Sequence, residues 1–317
     1  MEWIFDSLRV VQLPMRSKFR GITTREVALF KGEAGWAEFS PFLEYDEYES
    51  GNWLRSAIEA ATKSDFPVHR SSIKINGTIP ATDNEAEIAG LVASYPGAEV
   101  FKVKVGSDLP QDVKRISLVK KYAPNAKIRI DVNGTWRVSE AISNIETLTG
   151  EVGPFEYVEQ PVATLEELRE LKSKLKIDVK IAGDEVIRKA KDPLALDLRE
   201  AIDILMLKAA PLGGIRRSLE IAAHHKLPVV VSSALESAVG ITHELRLAAA
   251  LPELTYACGL ATGALFTDDL ATHEIKNGAI TLSNPEPNLE AIARLAAPKE
   301  RLEWWRARIK RSLEVMV

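Results

Sequence analysis

VFKVKVG (100–106), KIRIDVNG (127–134), EYVEQP (156–161) and IAGDE (181–185) are short apolar runs that carry Lys104, Asp131, Glu159 and Asp184 at their ends. Successive charged residues lie 27, 28 and 25 positions apart, about the length of one strand, one helix and two loops. The spacing predicts repeated strand–helix units of an α/β barrel. A charged residue that closes an apolar strand falls on the rim where such barrels carry their active sites. Three carboxylates and a lysine on one rim describe a hard-metal site beside a base.

Working outward, the runs SIKING (72–77), IDILML (202–207), PVVVSS (228–233) and LTYACGL (254–260) complete a set of eight between 72 and 262. Amphipathic stretches such as LPQDVKRISLVKKYA (109–123), TLEELRELKSKL (164–175) and GIRRSLEIAAHHKL (214–227) alternate with them. Crossovers of one hand close such an alternation into a ring. Residues 1–70 follow another pattern: IFDSLRVVQLPM and REVALFKGEAGWAEFSPF read as antiparallel strands joined by a loop from Pro14 to Gly21, with a helix near NWLRSAIEAATK. We therefore expect a small α+β unit at 1–70, a barrel at 71–264 and a closing segment at 265–317. That segment holds IKNGAITLS, a hairpin with an Asn-Gly turn, and the charged helix KERLEWWRARIKRSL, and is expected to return to the first unit.

Composition narrows the partners. A net charge near −4 supplies no basic surface for nucleic acid or anionic lipid. A small-molecule substrate is expected. The single cysteine, Cys258, excludes an internal disulfide and a cysteine metal cage, and reads as a small buried residue. The opening MEWIFDSLRV lacks a basic start and apolar stretch, and no run is long enough to cross a membrane, so a cytoplasmic location is expected. No phosphate loop or nucleophile elbow is present. The sequence leaves the oligomeric state open.

Clustered acids repel one another, so either a cation sits among Asp131, Glu159 and Asp184 or some are neutral. An all-oxygen set favours Mg²⁺ or Mn²⁺ over Zn²⁺. Lys102 and Lys104, two apart on a strand, share a face. A neighbouring cation and a metal would leave Lys104 able to accept a proton. Lys208 closes IDILMLK and should face Lys104 across the mouth, which permits two-base chemistry or one base with an electrostatic partner. Asn133 and Glu185 are expected to orient ligands. In SSALES, Ser233 and Glu236 have capping-box spacing, and the helix they start, with Ser232, would aim free amides at a substrate carboxylate. Gly259 and Gly263 would allow close backbone approach, while His224 and His225 fall on an outer helix face and His69, His243 and His273 have no partner pattern.

KVK (102–104), DVN (131–133), VEQP (158–161), GDE (183–185), Lys208 and SSALES (232–237), with LPMR…FRG (13–21) and GWAEFSP (35–41), together resemble the enolase superfamily, muconate-lactonizing subgroup. The resemblance spans nearly the whole chain. It implies a modified TIM barrel, (β/α)7β, under an α+β capping domain built from both termini. It also implies that Asp131, Glu159 and Asp184 bind Mg²⁺, that Mg²⁺ holds a substrate carboxylate, that Lys104 removes the α-proton, and that Lys208 is a fixed cation. Within the subgroup the motifs are most similar to a dehydrating branch, in which Lys104 would then assist loss of a β-hydroxyl on the same face of 2-succinyl-6-hydroxy-2,4-cyclohexadiene-1-carboxylate. Relatives with the same lysines racemise N-acylamino acids or epimerise dipeptides. Dipeptide epimerases carry Asp-x-Asp after the last strand, and CGLATGALF has no acid there. The resemblance further implies that Arg16, Phe19 and Arg20 of the capping loop contact the succinyl end.

Overall fold

A computed structural model describes residues 1–106 and 108–316. The chain opens with the short helix α1 (Trp3–Asp6) and an antiparallel meander of β1 (Arg9–Phe19), β2 (Ile22–Gly32) and β3 (Gly35–Phe39), then α2 (Glu47–Thr62). The connection expected from Pro14 to Gly21 is mostly strand. Phe19 pairs with Ile22, so only Arg20 and Gly21 turn, both at positive φ (48° and 83°), as a two-residue hairpin requires. Between Pro14 and Phe19 the register shifts, which bends the hairpin tip.

Next come β4 (Ser72–Lys74), β5 (Gly77–Ile79), α3 (Glu85–Ala93), β6 (Val100–Lys104), α4 (Leu109–Tyr122), β7 (Lys127–Asp131), α5 (Val138–Val152), β8 (Tyr157–Glu159), α6 (Leu165–Lys174), β9 (Ile181–Gly183), α7 (Glu185–Arg188), β10 (Ile204–Leu207), α8 (Ala209–Leu212), α9 (Ile215–His225), β11 (Val229–Val231) and α10 (Ala238–Ala250). Strands β5 to β11 form one seven-stranded parallel sheet in sequence order. Each strand is short and almost wholly buried, as a sheet lined by helices demands. Helix starts are fixed locally: Asn84, Asp108 and Thr164 accept hydrogen bonds from backbone N–H groups of the first turns of α3, α4 and α6.

Two of the eight expected runs differ from the prediction. SIKING divides: β4 leaves the barrel and pairs antiparallel with β13 (Ala279–Thr281), which forms the Asn277-Gly278 hairpin with β12 (Ile275–Lys276), and β5 alone enters the parallel sheet. LTYACGL is no continuous strand, because one residue, Gly259, bridges Ser232 at one sheet edge while its neighbour Cys258 bridges Ile75 at the other. Bonds from Asn76 N to Cys258 O (2.9 Å) and Gly259 N to Val231 O (2.8 Å) close the ring there. Gly259 is required at the seam, since a Cβ would come within 2.6 Å of Ser232 Oγ. Cys258 is buried and free, as read from the sequence, and burial pushes its thiol up to about 11.

After α11 (Leu289–Arg294), helix α12 (Lys299–Val315) lies on the first unit. Its buried Trp305 packs edge-on against Phe39 and donates to Glu26, which Arg301 also grips. Arg308 donates to the carbonyls of Phe42 and Tyr45. Fully burying one such aromatic is worth about 1.5–3 kcal/mol, so α12 is firmly held on the first unit. No helix among the described residues is long and apolar enough to cross a membrane.

Candidate active site

Parallel pairing aligns the rim. Lys104 pairs with Asp131, Asp131 with Glu159, and Glu159 with Ala182, two residues before Asp184. Three neighbouring strands therefore end at one level, and the apolar residues beneath leave their charged ends no other exit. Lys208 follows β10 directly. Its position is set from behind: the buried Glu244 of α10 accepts from the N–H groups of Ala209 and Ala210 at 2.9 and 3.2 Å.

Every acid of the rim meets a cation of this chain. Lys104 Nζ donates to Asp131 Oδ2 and Asn133 Oδ1, both at 2.6 Å. Lys102 Nζ lies 3.0 Å from both Glu159 oxygens and 3.3 Å from Asp131 Oδ2. Lys208 Nζ is 2.6 Å from Asp184 Oδ2. Repulsion among the acids, which the sequence reading answered with a metal or with neutral acids, is met here by ammonium groups. Among the described residues no three acid, His or Cys side chains gather as a ready-made ion cage.

The electrostatics follow from this sharing. Burial opposes ionisation of Asp131, but the ammonium groups of Lys104 and Lys102 outweigh it and hold the carboxyl well below the usual range. Asp184 is likewise buried, and Lys208 and Arg188 bring it down to about 2. Glu159 has only a share of Lys102, and burial together with the charge of Asp131 pushes it up to about 7. Burial opposes the charge of Lys102 too, yet Glu159 and Asp131 hold it well above an ordinary lysine. One oxygen in this group has no hydrogen bond: Asp184 Oδ1 is buried, and only Arg188 Nε approaches, at 3.3 Å. An oxygen-only donor set with a buried, unsatisfied carboxylate oxygen fits a hard divalent cation.

A cavity of about 610 Å³, its open mouth included, lies over these groups. Lys102, Lys104, Asp131 and Lys208 form its polar floor, while Phe19, Phe42, Tyr45 and Trp53 come from the capping unit.

A model described as "Enolase C-terminal domain-like" matches residues 85–287, and one described as "Enolase N-terminal domain-like" matches residues 10–61. The chain belongs to the enolase superfamily. It is 48% identical to the o-succinylbenzoate synthase of Mycobacterium tuberculosis over all of this chain and 97% of that one. It is 49% identical to the o-succinylbenzoate synthase of Mycobacterium ulcerans, over 97% and 93% respectively. The solved muconate lactonizing enzyme from Pseudomonas putida shares 19% identity with a TM-score of 0.73, covering 92% of this chain and 98% of that one. At that identity the likeness concerns the fold.

Of the residues singled out within this superfamily pattern, Lys102, Lys104, Asp131, Asn133, Asp184, Glu185, Lys208, Ser232, Ser233, Gly259, Phe19 and Arg20 line the one cavity. Glu159 lies beneath it, against Lys102. Lys104 Nζ sits 5.6 Å from the Phe19 ring centroid. Glu185 comes to the cavity because the strand stops at Gly183 and α7 begins, and its carboxylate accepts from Asn133 Nδ2 at 3.2 Å and Arg188 at 2.8 Å. Arg16 is elsewhere, donating to Ala264 O at 3.0 Å beside a separate cavity that also takes Gly263.

The reading of SSALES as a capping box also needs correction. Helix α10 starts at Ala238 with Ser237 as its cap, and Glu236 instead turns back to accept from Ala234 N. The helix offers no free amides to a substrate. Glu38 Oε2, from β3, accepts from Ser237 N (3.0 Å), Ser237 Oγ (2.5 Å) and Gly240 N (3.1 Å), and Asp269 accepts from Ala238 N. Arg25 of β2 donates to Leu235 O at 3.1 Å, holding a non-glycine residue at φ +66°. Arg25 and Glu38 thus clamp the loop that brings Ser232 to Leu235 to the cavity. The sequence reading missed both, along with Tyr45, Arg188 and Glu244. Only the apolar alternation around Arg25 and Glu38, which puts each on a buried face of its strand, could have flagged a pair.

Proposed function

We propose that this protein is an o-succinylbenzoate synthase, a lyase that removes water from 2-succinyl-6-hydroxy-2,4-cyclohexadiene-1-carboxylate to give 2-succinylbenzoate for menaquinone biosynthesis. Full-length identity of 48% to relatives of that name carries the reading, and a cavity holding Lys104 and Lys208 over three acids supports it. The reading assigns residues 1–70 and 265–317 to the cap and 71–264 to the barrel, and places the enzyme in the cytoplasm with a small carboxylate substrate.

Asp131, Glu159 and Asp184 are the proposed holders of Mg²⁺, or Mn²⁺ in its place. When bound there the ion would take up carboxylate charge now paired with the lysines and offset negative charge developing on the substrate carboxylate. Lys104, with Asn133 fixing its direction, takes the α-proton and returns it to the departing hydroxyl on the same face, so one residue serves a syn elimination. Lys208 stays protonated across the ring and stabilises the developing anion. Phe19 and the other cap aromatics exclude water from the reacting carbon. The driving force is aromatisation.

The test is direct: purified protein with Mg²⁺ is given the cyclohexadiene acid and aromatic product is followed by absorbance, with chelator as control. No Mg²⁺-dependent product would end the reading. A second reading, racemisation of an N-acylamino acid by Lys104 and Lys208 as two bases, is favoured by both lysines facing one cavity. Deuterium from solvent entering recovered amino acid would support that reading, and its absence would remove it.

A further inference from the structure

Asp184 occupies the N-cap position of the four-residue helix α7. An aspartate there ordinarily turns its side chain back and accepts from the N–H of the second or third helical residue. Asp184 does not. Its carboxylate caps no N–H of α7 and reaches Lys208 Nζ at 2.6 Å instead, with Oδ1 buried and without a hydrogen bond. The start of that helix is satisfied from elsewhere.

Gln160, which follows Glu159 at the end of β8 and is fully buried, supplies what is missing. Its Oε1 accepts from Val186 N, the second residue of α7, at 3.3 Å and from Asp184 N at 3.0 Å. Its Nε2 donates to Val162 O at 2.8 Å, so the amide cannot turn round without setting donors against donors. The backbone is held as firmly: Gln160 N donates to Ala182 O at 2.8 Å, and Gly134 N donates to Gln160 O at 2.6 Å. These bonds hold the residue at φ +40°, which a non-glycine residue keeps only where its surroundings enforce it. A filler of this space would need no amide. One side chain and its backbone thus tie together the chain leaving β7, β8 and β9, the neighbouring strands whose ends carry Asp131, Glu159 and Asp184.

We infer that Gln160 is a positioning residue: it caps α7 from the adjacent strand, relieves Asp184 of capping its own helix, and leaves that carboxylate turned to the cavity. The inference rests on the proposed ion site for what the freed carboxylate does. Without the Gln160 amide, the nearest acceptor for Val186 N–H is the Asp184 side chain itself. Rotation onto that N–H would withdraw one of the three carboxylates from the proposed set of ligands.

The experiment reads ion binding and local structure, so that it stands apart from turnover. Mn²⁺ binding to the full chain is followed by electron paramagnetic resonance, and amide hydrogen exchange is recorded on the ion-free protein. Two variants fail in different ways: Gln160→Met keeps the side-chain length and removes both polar atoms, while Gln160→Asn keeps an amide, tolerates positive φ and is one methylene too short. Each should weaken Mn²⁺ binding by about 10–100-fold, the scale of losing a partner that orients a metal ligand, and each should speed exchange at the Asp184 amide. A variant that is merely less stable, with wild-type affinity for the ion, would overturn the inference. Rapid exchange at the Asp184 and Val186 amides of the wild type would overturn it without any variant. A wild type that takes up no Mn²⁺ would remove the ion site instead, and the cap would then stand or fall on whether exchange at Asp184 quickens in the variants.

Discussion

Replacing Glu38 separates the clamp on the cavity loop from the chemistry. In Glu38→Ala, Ser237 N–H and Gly240 N–H lose their shared acceptor inside a buried interface, where Glu38 is only 8% exposed. A buried donor left unsatisfied costs about 1–3 kcal/mol, so the two amount to about 4 kcal/mol. Glu38→Gln keeps one carbonyl oxygen for these donors and should cost about 1 kcal/mol. Urea unfolding followed by tryptophan fluorescence reads both values. The loop carries Ser232 and Ser233 to the cavity, so the alanine variant should also raise KM more than it lowers kcat. An alanine variant within about 1 kcal/mol of wild type, or a glutamine variant as costly as alanine, would refute the clamp.

Lys104→Ala should lower kcat/KM by about 10²–10⁴, the worth of a positioned acid–base group, with an unchanged circular dichroism spectrum; an active variant would remove Lys104 from the reaction. Lys102→Met strands Glu159 without its ammonium partner and should destabilise the fold by about 3–5 kcal/mol, read as a drop in the urea midpoint. Asp269 is pushed from 3.8 up to about 7, first by burial and also by the charge of Glu38. The folded state therefore holds this proton more tightly than the unfolded chain, and the contribution to stability falls as pH rises from about 4 to about 7, by up to about 4 kcal/mol. Asp269→Asn should flatten that decline in unfolding curves recorded at several pH values, and an unchanged slope would discard the assignment.

The barrel was legible because strand length and charged strand ends repeat along the chain, and parallel pairing turns even spacing into a common rim. Lys102, Lys104, Asp131, Glu159, Asp184 and Lys208 came from that logic alone. What stayed hidden depends on contacts between distant segments. The split of SIKING is decided by β13, some two hundred residues away, which pairs with β4. The local spacing of Ser233 and Glu236 suggested a cap, and Glu38 overrides it from another unit. Arg16 and Arg20 look alike in sequence, but the register shift in β1 sends one to Ala264 and the other to the cavity.

Glu26 on β2 is fastened by Arg301 and Trp305, 275 and 279 residues further on. On a ribosome the meander emerges early yet cannot be completed until α12 follows, so Phe39 and Glu26 must wait without their partner Trp305 while the whole barrel is made. Newly made chains should therefore stay susceptible to proteases and attractive to chaperones around β1–β3 until synthesis has passed Trp305.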